Sequence, residues 1–428
     1  MRARSLFFTL LLSLFSGCSA PALDIILPTK NDALFTNEPE NFYMYVNRYS
    51  GGVKTTPWEG GTYGFVRNAR ETPHGTIFTR FHGGIDIKPL ERDAKGNPLD
   101  EILAISAGRV VHVNPRPGGS NYGRYVVIEH LWDGCPYYSL YAHLGEVAVE
   151  PGTEVAQGQK IAVMGYTGRG IDRERAHLHL EITLLLSEHF TTFYGHHWDP
   201  APNVHGIYSG LNLTGVDVAR LYLEARKNPK LTIPQFLAQE ETFFHVSVPG
   251  TTSVDLLKRY PWMADDGTAE ASGPPAGWRI SFAQSGVPLR VKRLEEAVQT
   301  AYVTVEKPSP HPLQHVTCGI VAGSGTTGAL TKAGQRLLAL LTYDGQTVPA
   351  TATIPGPMAM NSRTHTVKKG ETLLAIANQH KTPVSALLVA NKIKDPKLLQ
   401  IGQVLVIPTG GAKGAAPDEP AAEGAAGE

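Results

Sequence analysis

The chain of 428 residues has no excess of charge of either sign, because 39 lysine and arginine residues balance 39 aspartate and glutamate residues. A nucleic-acid-binding protein is expected to show a basic patch or a high isoelectric point, so this balance argues against a nucleic-acid partner. Long hydrophobic runs are also scarce. Beyond the first fifteen residues, no segment is apolar enough to span a membrane.

Glycine and proline, by contrast, are abundant. The 44 glycines and 31 prolines make up about 18% of the chain, against a usual value of about 12%. This composition favours a mainly β fold rich in turns. The length indicates about three domains, each able to bury a core of its own.

Two short motifs contain the residue types of a metal site. FHGGIDIKP includes His82 and Asp86, and RAHLHLEI includes His177 and His179. Two imidazoles and one carboxylate suit a borderline-soft divalent ion such as zinc. Three protein ligands would leave a fourth coordination position open for water, as catalytic zinc requires. The motifs therefore predict an enzyme with one Zn²⁺ per chain.

Both motifs lie in sequence that is typical of β-strands, because apolar residues alternate around them and Gly-rich turns separate them from similar runs. On a strand, residues two apart share a face. We therefore expect His177 and His179 to point the same way, so that one imidazole binds the metal while the other reaches the substrate.

Together with His143 at the end of YSLYAHL, these motifs resemble the lysostaphin/LytM-type zinc metallopeptidases, which hydrolyse peptide bonds in bacterial peptidoglycan. The resemblance covers about residues 78–186 and implies a small antiparallel β domain there. It also implies three zinc ligands, which are His82, Asp86 and His179. The catalytic histidines implied by the resemblance are His143 and His177, with pKa values that we expect near 6.5.

The chain departs from the family pattern in the loop before the second motif. Many members have a small-residue turn ending in Gly-Pro, whereas this chain has TGRGIDRERAHLH, with charged residues from Asp172 to Arg175. We expect these charges to line or border the substrate groove. They would then affect cleavage specificity more than activity.

Several single residues have a second interpretation. His143, taken alone, could be an ordinary histidine at a strand end. Glu181 could orient the proposed metal ligand His179 through a hydrogen bond, or it could be a solvated strand carboxylate. His196 and His197 resemble a second metal cluster, but adjacent residues on an extended chain face opposite ways, which favours surface or loop packing.

The start of the chain has the composition of an export signal, since Arg2 and Arg4 precede an apolar run that is too short to span a bilayer. The run ends in Leu-Phe-Ser-Gly-Cys18, which resembles a bacterial lipobox with residues 1–18 as the signal peptide and Cys18 as the lipidated residue. Cleavage after Ala22 is the alternative. Lipidation would anchor the protein in the bacterial cell envelope, and we expect the periplasmic side of the outer membrane.

Only two other cysteines are present, Cys135 and Cys318. Export would permit them to pair, and a bridge would join the predicted peptidase domain to the middle of the chain. Two free or buried thiols are the favoured alternative.

Residues 364–408 have the pattern strand, helix, helix, strand, with Thr372 as a predicted helix N-cap. This βααβ pattern resembles a LysM module, a family that binds N-acetylglucosamine-containing glycans. The alternative is a small packing domain without a ligand. The resemblance implies a glycan-binding groove formed by Gly370, Glu371, Thr372, Leu399, Gln400 and Ile401.

The remaining regions are less informative. Residues 23–77 form an N-terminal extension, and residues 409–428 lack large apolar side chains and should be disordered. Residues 187–360 are predicted to be a β-rich accessory region with at least one helix, VARLYLEARK, which follows a stretch resembling a capping box at Thr214–Asp217. Its strand-like runs are FFHVSV, WRISFAQ, AYVTVE, HVTCGIVAG and LLALLTY. Our hypothesis is that this region restricts access to the active groove.

These features together predict a lipid-anchored zinc endopeptidase that opens peptide cross-links in peptidoglycan while its LysM module holds the glycan. One alternative is a non-catalytic, peptidoglycan-binding activator of cell-wall amidases, because some lipoproteins that combine these domains have lost zinc ligands. The five intact positions argue against it. Another is a peptidase for other Gly-rich or extracellular proteins, against which the glycan module argues.

Overall fold

The computed structural model describes residues 23–345 and 363–407. Within these ranges it leaves out residues 37, 51, 119, 198–202, 266–267, 269–272, 369, 381, 383, 385–386, 389–390, 392, 394–398 and 401. The described residues fall into two compact units, one within residues 23–345 and the other within residues 363–407. The fold is mainly β, which confirms the predicted class.

The first part of the first unit consists mostly of strands. In chain order these are β1 (Arg48–Ser50), β2 (Val53–Thr55), β3 (Gly64–Thr72), β4 (Gly75–His82), β5 (Ile85–Ile87), β6 (Glu101–Leu103), β7 (Gly108–Asn114), β8 (Tyr125–Trp132), β9 (Cys135–Ala142), β10 (Leu144–Val147), β11 (Glu154–Val155), β12 (Lys160–Met164), β13 (Leu178–Leu185) and β14 (Leu213–Gly215). Its helices are short: α1 (Pro39–Phe42), α2 (Phe190–His197), α3 (Val218–Lys227), α4 (Ile233–Leu237) and two 3₁₀ turns, Ala33–Phe35 and Trp58–Gly61.

The main antiparallel sheet has the order β11-β7-β8-β9-β13-β14, and β5 also pairs with β13. Strand β13 lies inside this sheet, and every one of its residues is buried. One edge of β13 pairs with β9. The other edge pairs with β5 near His179 and with β14 near Thr183. A strand buried on both faces needs a continuous apolar run, which the sequence HLHLEITLLL supplies apart from the polar residues of the site.

The N-terminal extension packs along the main sheet. The Met44 N–H donates to the Asp86 carbonyl over 2.8 Å, and Tyr43 forms an isolated bridge with Ile87. Strands β3 and β4 form a hairpin over residues 64–82, which crosses the predicted domain boundary at residue 78. His82 is the last residue of this hairpin and lies just before β5, which pairs with β13 of the main sheet.

The accessory region follows with a four-stranded sheet of order β17-β16-β15-β18, a hairpin β19–β20 and further helices. Its elements are β15 (Phe244–Pro249), α5 (Leu256–Arg259), the 3₁₀ turn Pro261–Met263, β16 (Gly277–Phe282), β17 (Pro288–Leu294), β18 (Tyr302–Val305), α6 (Leu313–Val316), β19 (Val321–Ser324), β20 (Thr327–Leu330) and α7 (Lys332–Leu341).

Three local predictions for this region need correction. The run HVTCGIVAG begins in α6, and only its end, from Val321, is a strand. The run LLALLTY lies mostly in α7 and is not a strand, because Thr331 caps the helix by accepting from the Gly334 N–H and the leucines bury one side of it. Helix α3 is present as predicted, but Asp217 alone is its N-cap and Thr214 belongs to β14.

Cys135 and Cys318 are both unpaired.

Helix α5 ties the accessory region to the end of β13. The Arg259 guanidinium donates to the Leu185 and Leu186 carbonyls over 3.3 and 2.6 Å, and it pairs with Asp255 over 2.6 Å. The Tyr260 hydroxyl accepts from the Leu185 N–H over 2.9 Å. The strand that carries His179 is therefore held at its far end by accessory residues.

The second unit contains β21 (Arg363–Thr366), α8 (Leu373–Gln379) and β22 (Val404–Ile407), with β21 and β22 antiparallel. Thr372 caps α8 as predicted, accepting from the Ala375 N–H. Val384, Leu387 and Leu388 are also helical. The core of this unit includes Leu373, Ile376, Leu387 and Leu405. No helix within the described ranges is long and apolar enough to cross a membrane.

Candidate functional site

The two metal-type motifs meet because strands β5 and β13 are paired. Asp86 is the direct antiparallel partner of His179, and His82 ends strand β4 just before the turn into β5. Directly opposed residues on neighbouring strands have side chains about 5 Å apart on one face. The site is therefore built where a short edge strand meets a central one.

The turn between His82 and Asp86 requires glycine at position 84. A Cβ atom there would lie 2.4 Å from the Leu180 carbonyl oxygen and 2.8 Å from Cγ of Glu181. Contacts below 3.0 Å from backbone atoms cannot be relieved without moving the strand. The second glycine of the HGGID motif thus allows the turn to pack directly on β13.

Three donor atoms converge at this point. Nε2 of His82 lies 3.0 Å from Nδ1 of His179 and 3.1 Å from Oδ1 of Asp86, and the latter two atoms are 2.9 Å apart. Donors that bind one tetrahedral zinc at about 2.0–2.2 Å stand about 3.3–3.6 Å apart, so the triangle is close to the size that a single zinc ion needs. Within the described ranges, no other group of three or more His, Cys, Asp or Glu residues brings its donor atoms together in this way.

The other two predicted histidines lie beside this triangle. The ring centroid of His143 is 4.7 Å from that of His177 and 5.8 Å from that of His179. Nδ1 of His143 donates to the Thr167 carbonyl over 2.8 Å, and Nδ1 of His177 donates to the Arg175 carbonyl over 2.6 Å. Each imidazole thus uses Nδ1 to fix its orientation. Nε2 of His177 lies 3.4 Å from Oδ1 of Asp86, at the edge of the donor triangle.

The backbone at His143 is unusual, because its φ of 62° lies in the left-handed region. Few residues other than glycine adopt this conformation, and such residues cluster at functional sites. The conformation turns the chain sharply between β9 and β10. It is stabilised by a hydrogen bond from the His143 N–H to the Tyr122 carbonyl over 2.9 Å.

All five residues are at most 3% exposed. Burial and neighbouring groups shift the pKa values of His82, Asp86, His143 and His179. Burial raises the pKa of Asp86, but His82, His177 and Arg67 outweigh it and hold that pKa well below its usual range. Burial and Arg67 lower the pKa of His82 to about 4. Burial also lowers the pKa of His179, yet its hydrogen bonds to Asp86 and Glu181 raise it to about 9.

The expected pKa of His143 needs correction. Burial, followed by the neighbouring His177 and His179, lowers the pKa of His143 well below 6.5. At neutral pH this imidazole is therefore uncharged.

Two further side chains belong to the site, and neither was predicted to be part of it. Nη2 of Arg67, on β3, donates to Oδ2 of Asp86 over 2.5 Å. The Tyr122 hydroxyl donates to Oε1 of Glu181 over 2.8 Å, and the same oxygen lies 2.8 Å from Nε2 of His179. Of the two roles considered for Glu181, the structure therefore favours orientation of His179, because this carboxylate is only 5% exposed.

The charged loop before the second motif is tied to neighbouring segments. Glu174 accepts from the Tyr45 hydroxyl over 2.9 Å, and Arg173 donates to the Lys95 carbonyl over 2.7 Å. Arg92 donates to the carbonyls of Arg173 and Glu174 over 2.7 and 3.0 Å. These contacts position the loop that leads to His177.

The other predicted positions lie elsewhere. His196 and His197 end helix α2, where the ring of His197 stacks on Phe193 at 4.1 Å. In the second unit, Gly370 has a φ of 89° in a turn that the Glu371 N–H closes by donating to the Lys368 carbonyl over 3.2 Å. The Glu371 carboxylate accepts from the Lys368 N–H over 2.8 Å. The Gln400 N–H donates to Gln403 over 3.1 Å, and Leu399 contacts the core. Ile401 and Cys18 are outside the described residues.

Comparison with known proteins gives two domain matches. Residues 80–196 match peptidase family M23, and residues 365–408 match the LysM domain. Among solved structures, a zinc-containing peptidase from Vibrio cholerae is 28% identical, with a TM-score of 0.21, over 33% of this chain and 36% of that one.

Curated relatives are similar over part of the chain. The murein hydrolase activator NlpD of Salmonella dublin is 32% identical over 148 residues, which are 32% of this chain and 37% of the relative. The chain thus spans little more than a third of that protein. The lipoprotein NlpD of Yersinia enterocolitica is 40% identical over 90 residues, which are 21% of this chain and 84% of the relative. These matches confirm the resemblance that the motifs indicate, and the chain belongs to peptidase family M23, with a LysM domain near its C-terminus.

Proposed function

We propose that this protein is a zinc-dependent endopeptidase that hydrolyses peptide cross-links of bacterial peptidoglycan. One observation carries the proposal: three buried donor atoms lie 2.9–3.1 Å from one another, beside two further imidazoles whose Nδ1 atoms are held by backbone carbonyls. An inactive relative of this fold would not need to keep all five groups in this arrangement.

His82, Asp86 and His179 would hold the metal. When bound, zinc lowers the pKa of water to about 7 and acts as a Lewis acid toward a carbonyl oxygen. One carboxylate among the three ligands leaves the site with a net positive charge, which favours the negative charge that develops during amide hydrolysis.

His143 and His177 are the proposed catalytic histidines. Because the Thr167 and Arg175 carbonyls accept from their Nδ1 atoms, both rings present Nε2 toward the site. A neutral imidazole with a free Nε2 can accept the proton of an attacking water and then donate it to the leaving amine. Once protonated, the same nitrogen can donate a hydrogen bond to the developing oxyanion.

The LysM domain would bind the glycan part of the same polymer. Its proposed contact residues are Gly370, Glu371, Thr372, Leu399, Gln400 and Ile401. A domain that holds the glycan raises the local concentration of peptide stems at the peptidase domain, which increases the apparent affinity without new contacts at the active site.

We further propose that Cys18 is lipidated and anchors the protein in the cell envelope, on the periplasmic side of the outer membrane. The lipobox-like sequence supports this proposal, as does the name of the Yersinia enterocolitica relative, a lipoprotein. Two or more acyl chains suffice for a stable anchor.

A second candidate function is supported by another observation. The Salmonella dublin relative is named as an activator of murein hydrolases. This chain could likewise bind peptidoglycan and stimulate cell-wall amidases without cleaving any bond itself. Such a role requires the fold but not the metal.

One experiment separates the two functions. Residues 23–428 are purified, their zinc content is measured, and cross-linked peptidoglycan is digested with and without a chelator. New amino termini that disappear with the chelator and in His179→Ala support the endopeptidase. Stimulation of an amidase without any new amino terminus, unchanged in His179→Ala, would replace it with the activator.

A further inference from the structure

The three proposed metal ligands each have a fixed partner on the side away from the donor triangle. Nδ1 of His82 donates to the Thr62 carbonyl over 2.7 Å, Oδ2 of Asp86 accepts from Arg67, and Nε2 of His179 faces Glu181. Partners of this kind fix the orientation of a ligand and tune its basicity. Two of the three come from residues that precede the peptidase family match, which begins at residue 80.

Arg67 is itself held firmly. Its Nε donates to the Gly60 carbonyl over 3.0 Å, while its Nη2 donates to Asp86 over 2.5 Å. The Arg67 side chain is 11% exposed and the Asp86 side chain 2%. An ion pair this deeply buried is stable only when its geometry is good and its remaining hydrogen-bonding groups are satisfied.

The ion pair with Arg67 gives the two oxygens of Asp86 different partners. Oδ1 lies 2.9–3.1 Å from the donor atoms of His82 and His179, whereas Oδ2 is occupied by the guanidinium. A carboxylate with a free second oxygen can rotate and bind a cation through both atoms. With Oδ2 held, only one oxygen is available to a metal.

We propose that the segment from Gly60 to Arg67 is part of the metal centre and that Arg67 is a positioning residue that keeps Asp86 a one-oxygen ligand. The proposal rests on the proposed function, because it assumes that the site holds zinc. Strand β3, which lies in the predicted N-terminal extension, thus supplies the contact that sets the coordination number.

The test uses metal binding and does not depend on activity. Arg67→Gln and Arg67→Lys are made in the full-length chain, with Arg70→Gln as the matched control. Arg70 lies on the same strand but contacts His315, away from the site. Zinc affinity is measured by competition with a chelator, and the visible absorption spectrum is recorded with Co²⁺ in place of zinc.

In Arg67→Gln we expect a 10–100-fold loss of zinc affinity and weaker Co²⁺ absorption, as expected when a four-coordinate site gains a ligand atom. Arg67→Lys should recover part of both, since an ammonium group can still pair with Oδ2. Arg70→Gln should match the unmodified chain. Thermal unfolding of the metal-free proteins shows whether each variant is folded, and Arg67→Lys serves as the test if Arg67→Gln is not.

Three results would overturn the proposal. Unchanged affinity and spectrum in both Arg67 variants would mean that Arg67 does not position Asp86. Tighter zinc binding in Arg67→Gln would mean that the arginine acts only by charge repulsion. If the unmodified chain bound no zinc, the proposed function would fail and this inference with it, whereas the first two results leave the proposed function intact.

Discussion

The imidazole rings of His143 and His177 lie edge to face, with 4.7 Å between their centroids and 68° between their planes. They lie at the same end of two paired strands, one just after β9 and the other just before β13. Neither ring contributes a donor atom to the triangle formed by His82, Asp86 and His179. The structure therefore separates the residues that would bind the metal from those that would move protons.

Because of this separation, substitution of His143 or His177 should reduce activity without reducing the zinc content. His143→Ala and His177→Ala should each reduce the cleavage of cross-linked peptidoglycan by at least about 100-fold, because a positioned proton-transfer group is lost. Both variants should keep the zinc content of the unmodified chain. Release of amino termini and metal analysis measure the two effects, with His196→Ala, at the exposed end of α2, as the control. Loss of zinc in His143→Ala would contradict the assignment.

Metal removal should lower the melting temperature. A ligand that binds only the folded state stabilises it by about 4 kcal/mol when its free concentration is a thousand times the dissociation constant. Calorimetric scans with zinc and with a chelator should therefore differ clearly for the unmodified chain, and not for His179→Ala. Identical scans of the unmodified chain would count against a metal held by three buried ligands.

The accessory region should contribute to stability through Arg259. Its side chain is 5% exposed and shares Asp255 with Lys258, whose side chain is 81% exposed. Arg259→Ala should lower the free energy of unfolding by about 3–5 kcal/mol, because it leaves Asp255 with only the exposed Lys258 and removes the donor to two carbonyls. Lys258→Ala should change it little. Urea denaturation compares the free energies of unfolding of the two variants. Equal losses would argue against a stabilising role of the buried Arg259 contacts.

His130 should make folding sensitive to acid. Burial lowers its pKa to about 4, from 6.5 in the unfolded chain, while Nε2 lies 2.7 Å from the Ser139 hydroxyl. Between these two values the unfolded chain binds a proton that the folded chain does not. Stability should therefore fall as the pH drops from 6.5 to 4, by roughly 3 kcal/mol in total.

His130→Asn removes this titration while keeping a donor toward the Ala107 carbonyl. The difference in unfolding free energy between the unmodified chain and the variant should thus change with pH only below 6.5. A difference that stays constant from pH 7 to pH 4 would rule out the proposed titration.

The LysM domain should be separable from the peptidase domain, since the two lie in different compact units. A chain ending at residue 348 should cleave soluble cross-linked peptides as fast as the full-length protein but sediment much less with insoluble peptidoglycan. Glu371→Ala in the full-length chain tests the proposed groove by the same sedimentation. Full retention of the truncated chain on peptidoglycan would remove the targeting role.

Part of the site could be predicted without a structure because its residue types are specific. Histidine and aspartate at the spacings of HGGID and HLH have few other reasons to occur together on predicted strands. The second unit was predictable for a similar reason, since Thr372 has both the residue type and the position of a helix N-cap. Leucine-rich runs are less specific. The run LLALLTY is compatible with a strand or a helix, and the N-cap at Thr331 favours the helix α7.

Arg67 shows where such prediction ends. An arginine in the sequence VRNARE is typical of a solvated strand, and nothing local distinguishes it from Arg70. Its contact with Asp86 depends on the register of β3 against β4, which shifts by a bulge between Phe65 and Arg67. The sequence by itself determined which histidine and aspartate side chains are available for the proposed metal binding and proton transfer. Only the tertiary structure decided which buried charges hold those groups in place, because strand register and burial are set by contacts between residues far apart in the chain.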